Sequence, residues 1–348
     1  MTPSVRIIHA RAPLRINDIG GWTDTWFARR GRVLNLAVGP PVEVQIKVTR
    51  RGAGRRGEPK ILIHAENYGQ TFRVDPVRPS AALHPLLQMA VQSLPPSGPL
   101  NLEVRIHSPV PAGISTGTSA SVCVALLGAL DFLRGGRLGP AGLAKLAHLV
   151  EAGKLGRQSG IQDQICAAYG GICFIDVRNY PKARVERILP DRAVIGELER
   201  RLCLVYLGRP HSSSDIHESV IARFEKGGGR SAALERLSRL AARGRSALLN
   251  GDFEAYGGIM IENNEAQRTL HPMLVSERAD RVIATARKHG ASGWKANGAG
   301  GKGGSLTILA SPDDGLKRRM TAALLELGGG IRPLPVSLSP AGFQAWEA

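Results

Sequence analysis

Apolar and polar residues alternate in several early stretches of the chain. Val42, Val44, Ile46 and Val48 follow a period of two within residues 41–49, and the runs at 5–16, 60–64 and 100–107 have the apolar, β-branched content of strands. The period then lengthens. From Ser119 onward Val122, Leu126, Ala129 or Leu130, and Leu133 recur at helical spacing, as do Leu143, Leu146, Leu149 and Val150. Residues 171–177 predict a returning strand, and 178–198, with Pro181 and Pro190, predict a connection. A short apolar strand at 202–207 follows, then helices near 214–226, 231–249, 252–269 and 275–289. Strands near 305–310 and 331–338 flank a helix at 316–327. Strands followed by helices in each half predict an α+β protein, with layers of sheet and helix instead of an alternating parallel sheet.

Composition narrows the class. A chain of 348 residues with 43% hydrophobic residues can bury one large or two medium cores, which excludes a disordered tail or a stapled miniprotein. No apolar run approaches the ~18 residues of a spanning helix, and residues 1–6 lack the apolar core of a signal peptide. A soluble, cytoplasmic protein with no membrane partner is expected. Cys123, Cys166, Cys173 and Cys203 have no zinc-type spacing and read as small buried hydrophobes. The formal net charge of +17 suggests a polyanion partner, but 36 of the 46 basic residues are arginines spread along the whole chain. The one dense cluster, at 50–57, reads as a hairpin tip or a binding patch. Only 5% of residues are aromatic and none interleave with that cluster, so nucleic acid is not the expected partner.

Four segments carry candidate chemistry. Pro111-Ala112-Gly113-Ile114-Ser115-Thr116-Gly117-Thr118-Ser119 lies between a strand and the helix from Ser119 onward. Its small residues and the open N–H groups of a helix start suit an anion; the alternative is an ordinary loop with a Thr or Ser cap. It lacks the lysine of a Walker loop. Gly298-Ala299-Gly300-Gly301-Lys302-Gly303-Gly304 predicts a tight turn before a strand. In Arg11-Ala12-Pro13-Leu14-Arg15-Ile16-Asn17-Asp18-Ile19-Gly20-Gly21-Trp22-Thr23-Asp24, polar residues and paired glycines interrupt a strand that a purely structural role would leave apolar. Gln162-Asp163-Gln164 places an acid before the Gly170-Gly171 turn, where a solvated surface acid is the plain alternative.

Together and in this order, the four segments resemble the GHMP kinase superfamily, named for galactokinase, homoserine kinase, mevalonate kinase and phosphomevalonate kinase. The block Gly20–Asp24 with Thr25 is similar to that of fucokinases, and the Gln162–Gln164 block to that of fucokinases and of kinases of D-glycero-D-manno-heptose 7-phosphate. The resemblance implies an ATP-dependent sugar kinase acting on the anomeric hydroxyl, with a non-catalytic sugar sensor or a basic nucleic-acid binder as the alternative. It implies two α+β domains, 1–195 and 196–348, with the active site in the cleft between them. Asp163 would be the base and Arg15 its cation. Pro111, Gly113, Ser115, Gly117, Thr118 and Ser119 would hold the nucleotide, and Ser119 (or Thr118) and Glu151 would hold Mg2+. Trp22, Thr23 and Asp24 would meet the sugar, with Gly300 and Gly301 approaching from the second domain. Trp22 could equally be a core residue, and Glu151 a solvated helix charge.

Some positions depart from the resemblance. Ser115 and Thr116 stand where Gly-Leu is usual, Thr118 replaces a serine, Lys302 replaces a glycine, and Asn17-Asp18 replaces a small or apolar pair. Lys302 could bind a substrate phosphate or face water. If the sugar carries a distal phosphate, Arg29, Arg30 and Lys302 are the candidate cations. The sugar and the oligomeric state stay open.

Overall fold

The structure is a computed structural model, and it describes residues 5–50, 60–78, 83–111, 113–210, 214–225 and 231–348. The cluster predicted as a hairpin tip falls almost wholly at 51–57, outside the described residues, as does the glycine run at 227–229.

The chain begins with two long strands, β1 (Val5–Ile19) and β2 (Gly31–Arg50), followed by β3 (Lys60–Ala65), β4 (Gln70–Val74), α1 (Pro85–Ser93) and β5 (Leu100–His107). Helices α2 (Thr118–Leu133), α3 (Pro140–His148) and α4 (Gln162–Tyr169) come next, with a π-helical turn at Leu149–Lys154 continuing α3. Then follow β6 (Ile172–Asn179), β7 (Lys182–Ile188), α5 (Arg192–Arg201) and β8 (Leu202–Leu207). The second half adds α6 (Ser214–Glu225), α7 (Ala232–Leu249), α8 (Phe253–Leu270), α9 (Glu277–Lys288), β9 (Gly293–Ala296), β10 (Ser305–Leu309), α10 (Asp314–Glu326), β11 (Ile331–Leu334), β12 (Ser337–Leu338) and β13 (Gln344–Glu347).

Sheet and helix segregate as the α+β reading predicts. Of the strand pairs in the nine-stranded sheet, whose main path runs β13-β1-β2-β5-β3-β4, only β3 with β5 is parallel. On the edge away from β1, β2 serves three neighbours in turn: residues 43–50 pair with β5, residues 38–39 with β12 and residues 31–36 with β6. Between the β5 and β12 stretches lie Pro40 and Pro41, which have no N–H to donate, and there the ladder changes partner. The second half of β1 is buried without alternation because helices cover it on both faces, α2 and α4 on one and α7 on the other. The smaller sheet, β11-β8-β10-β9, packs with α9 and α10 around a core of its own.

Residues 178–198, predicted as a connection, instead hold β7 and α5. The sequence Lys-Ala-Arg-Val-Glu-Arg-Ile is too charged to read as a strand, but it lies at a sheet edge beside β6, where one face stays in water. β4, α1, β9 and β13 are also additions to the predicted elements; the strands among them are four or five residues long, and their periodicity is too brief to read. A division near residue 195 falls at α5, the entry to the small sheet. The last strands cross back, however: β12 pairs with β2 and β13 with β1, and the tail packs Phe343 against α2.

That crossing depends on Gly128. A Cβ there would sit 2.2 Å from ring carbons of Phe343. Gly128→Val should therefore destabilise the protein by about 2 kcal/mol despite removing a helix glycine. Urea unfolding should show Phe343→Ala in the same chain recovering part of that loss.

Candidate active site

Two register shifts in β1, between Ala12 and Leu14 and between Ile16 and Ile19, bracket Arg15. Bulges re-aim side chains, and here they turn Arg15 inward, where its backbone N–H donates to Thr116 O at 2.9 Å. Its guanidinium donates through Nε to Asp163 Oδ1 at 2.8 Å, with a second nitrogen 2.7 Å from the same oxygen, and lies 3.3 Å from Asp18. Burial opposes the charge, yet Asp163 and then Asp18 outweigh it and hold Arg15 firmly protonated. Asp163 is thus no solvated surface acid; it opens α4 and leans on the start of α2. A Cβ on Gly117, which has φ 69°, would come within 3.1 Å of its carboxyl, so position 117 requires glycine twice over.

The helix cap alternative for the 111–119 segment does not hold. Gly117 is the N-cap of α2 and no side chain caps the helix, which leaves its first N–H groups open to an anion. Ser115 takes the left-handed conformation at φ 61° in the same turn, and its Oγ is buried without a partner.

Glu151 sits in the π-helical turn, an irregularity that often marks functional positions. It is 3% exposed, not a solvated helix charge, and accepts hydrogen bonds from Ser119 Oγ at 2.9 Å and from the Gln164 side chain. Burial raises its pKa, and the Gln164 and Ser119 bonds only partly offset that. Asp24 accepts from the Gln162 N–H at 3.0 Å, and burial pushes its pKa up to about 6. Gly160 lies so close that a Cβ would fall 2.0 Å from Asp24 Oδ2.

Arg15, Asp18, Trp22, Asp24, Gly113–Ala120, Glu151, Gln162, Asp163, Gln164, Gly298 and Ala299 line one cavity of about 340 Å³, closed on one side by His217 of α6. It lies between the two halves of the chain. Trp22 is 7% exposed, lies edge-on to His217 at 4.9 Å, and stands at the cavity wall. A larger, more open groove of about 770 Å³ among α1, α2 and α3 contains none of the residues with candidate chemistry.

Other expected residues lie elsewhere. Thr23 is fully buried and its hydroxyl donates to Gly20 O and lies 3.0 Å from Arg32 O, so it ties the glycine turn instead of facing the cavity. Pro111 is outside the lining. Of the late glycine turn, Gly298 and Ala299 reach the cavity; Gly300 backs tightly onto Leu274 O, and neither it nor Gly301 lines the cavity. Lys302, Arg29 and Arg30 are exposed and outside the lining.

Two features went unread in the sequence. Lys295 is completely buried and donates to Asp18 at 2.8 Å; the polar Asp18 was a visible oddity, but its partner lies 277 positions away. A second cavity of about 260 Å³ shares Gly113, Thr118 and Ser119 with the first and extends over Asn67, Tyr68, His84, Leu87 and Val110. Its walls come largely from the β3–β4 region and the unpredicted α1. Among the described residues no three His, Cys, Asp or Glu side chains cluster as a metal site, all four cysteines are buried and unpaired, and no helix is long and apolar enough to cross a membrane.

Comparison with known proteins finds the GHMP kinases N terminal domain at residues 84–171. The bifunctional fucokinase/GDP-fucose pyrophosphorylase of Arabidopsis thaliana is 28% identical over 85% of this chain, which spans only 29% of that protein. The D-glycero-alpha-D-manno-heptose 7-phosphate kinase of Campylobacter jejuni is 26% identical, the match covering 72% of each chain. Among solved structures, a D-glycero-D-manno-heptose 1-phosphate kinase from Bacteriodes thetaiotaomicron superposes with a TM-score of 0.75 over 97% of this chain and 98% of its own, at 21% identity.

Asp24 gives a pH test. Its pKa rises from the ordinary 3.8 to about 6, so its destabilising effect is absent below pH 3.8 and fully present above about pH 6. Asp24→Asn should therefore be more stable than wild type at pH 7.5, by up to about 3 kcal/mol. The difference should vanish below about pH 4 when melting temperatures are compared across pH.

Proposed function

This chain belongs to the GHMP kinase family and is a phosphotransferase with a hydroxyl acceptor, and from that premise we propose that it transfers the γ-phosphoryl group of ATP to the anomeric hydroxyl of a sugar such as fucose or a heptose 7-phosphate. One observation carries the reading. Arg15 and Asp163, 148 positions apart, form an ion pair at the open N-terminus of α2, inside a cavity whose far wall holds Trp22 and the buried Asp24.

In this reading the acceptor hydroxyl lies against Asp163, which takes its proton as the new bond to phosphorus forms. Arg15 orients that carboxylate, and its positive charge lies beside the transferring phosphoryl group, so the chain works mostly by positioning and charge stabilisation. Asp24, ionised above about pH 6, accepts hydrogen bonds from the sugar, and the indole of Trp22 meets its C–H face. The N–H groups at the head of α2 hold phosphate oxygens, and the adjoining cavity over Tyr68 and His84 takes the base of the nucleotide. Ser119 Oγ and Glu151 supply one hydroxyl and one carboxylate, hard oxygen donors that suit Mg2+ completed by phosphate oxygens. A magnesium ion held there would neutralise charge on the triphosphate. The likeness to a fucokinase and to a heptose 7-phosphate kinase supports a sugar acceptor.

The test is ADP release with L-fucose, D-galactose and D-glycero-D-manno-heptose 7-phosphate, with the product read by phosphorus–proton coupling. Phosphate on the anomeric oxygen is expected; phosphate on a primary hydroxyl would overturn the anomeric assignment. Asp163→Asn should lower kcat about 100-fold or more and leave nucleotide binding, measured by calorimetry, nearly intact. Since Arg29 and Arg30 lie outside the cavity, replacing both by alanine should leave KM for phosphorylated and neutral sugars alike.

A further inference from the structure

Four charges alternate along one line, three of them buried and the fourth, Asp163, at the cavity. Lys295 Nζ donates to Asp18 Oδ1 at 2.8 Å and to Ala296 O at 2.7 Å. Asp18 Oδ1 lies 3.3 Å from the NH1 of Arg15 and accepts the Gly298 N–H at 3.1 Å. Arg15 then turns its Nε and other terminal nitrogen to Asp163. The side chains of Lys295, Asp18 and Arg15 are 1%, 2% and 5% exposed. A buried ion pair kept only for stability is a poor choice, since well-packed apolar residues do as well or better.

We infer that Asp18 and Lys295 are positioning residues for phosphoryl transfer, holding Arg15 in the orientation that serves Asp163. The reading rests on the phosphotransfer assignment above. Asp18 and Asp163 flank a single guanidinium. With no second cation, Asp18 would draw Arg15 to itself and loosen its hold on Asp163. Lys295 supplies that cation, so Asp18 engages one Arg15 nitrogen and the fork facing Asp163 stays in place. The same Asp18 oxygen takes the Gly298 N–H, which sets the late glycine turn against the 113–117 turn: a Cβ on Gly298 would be 3.4 Å from the Ser115 Cβ. Lys295 is not itself a lining residue and has no bond to Asp163; it acts through Asp18 and Arg15.

The experiment compares wild type, Lys295→Met, Asp18→Asn and the double variant Asp18→Asn/Lys295→Met. One readout needs no ligand: the side-chain 15Nε–H resonance of Arg15, assigned by its loss in Arg15→Lys, whose exchange with water reports the bond to Asp163. The other is kcat and KM with Mg-ATP and whichever sugar of the panel the wild type accepts. Each single variant should lose exchange protection at Arg15 and fall about 30-fold in kcat, with KM for ATP within about 3-fold. The double variant, which restores neutrality, should regain protection and return to within about 5-fold of wild-type kcat. Single variants that keep both properties, or a double variant as impaired as the singles, would overturn the inference. Should Lys295→Met not fold, Asp18→Asn against the double variant reads the same coupling. If the wild type phosphorylates no sugar of the panel, the sugar assignment fails while the Arg15 resonance still decides this one.

Discussion

A guanidinium removed from water must be matched by carboxylates, and at Arg15 that requirement organises the centre of the molecule. Its surroundings join one local and two distant parts of the chain: Asp18 three residues on in its own strand, Asp163 at the head of α4 and, through Asp18, Lys295 of β9. The carbonyls of Ser115 and Thr116 accept its remaining N–H and its backbone N–H. One side chain thus joins the first strand, the 113–117 turn, the acid-bearing helix and the small sheet, so the full set of contacts is present only when all of these elements are docked.

What could be read from the sequence follows the range of the interactions involved. Elements with clear periodicity, such as α7 and the strand at Leu100–His107, emerge within a residue or two because burial of one face writes itself into neighbouring positions. The glycines of the 113–117 turn stand out because they are unusual between a strand and a helix, whereas Asp163 is marked only by the family resemblance of its block. Lys295 does not stand out: a lone lysine in Gly-Trp-Lys-Ala has no local mark of burial, and only its distant carboxylate makes that burial tolerable. Thr23 failed for the opposite reason. It lies inside a chemically suggestive block, but its hydroxyl is consumed by the turn that aims its neighbours. The second cavity was missed with much of its wall, α1 and the turn after β3 that carries Asn67 and Tyr68.

The arginine surplus also acquires a structural account. Arg201, Arg223 and Arg278 donate to backbone carbonyls at the ends of elements, and Arg6, Arg243 and Arg245 each pair with a glutamate distant in sequence. Exposed pairs of this kind stabilise by only about 0–1 kcal/mol each. Their more telling effect is on the electrostatic surface, since a cation with a partner contributes little to a field that would gather a polyanion.

The widened turn at Leu149–Lys154 bears on how such a site could arise and be lost. A π-helical turn holds one more residue than the α-helical turn it replaces, and each residue turns a helix by about 100°. Removing one residue before Glu151 would swing its carboxylate away from Ser119 without altering any side chain of the cavity. In evolutionary terms the placement of this acid is encoded as a length, so insertions and deletions in α3 are its natural currency of change, and chains that match residue for residue around the site can still differ in whether the acid reaches it.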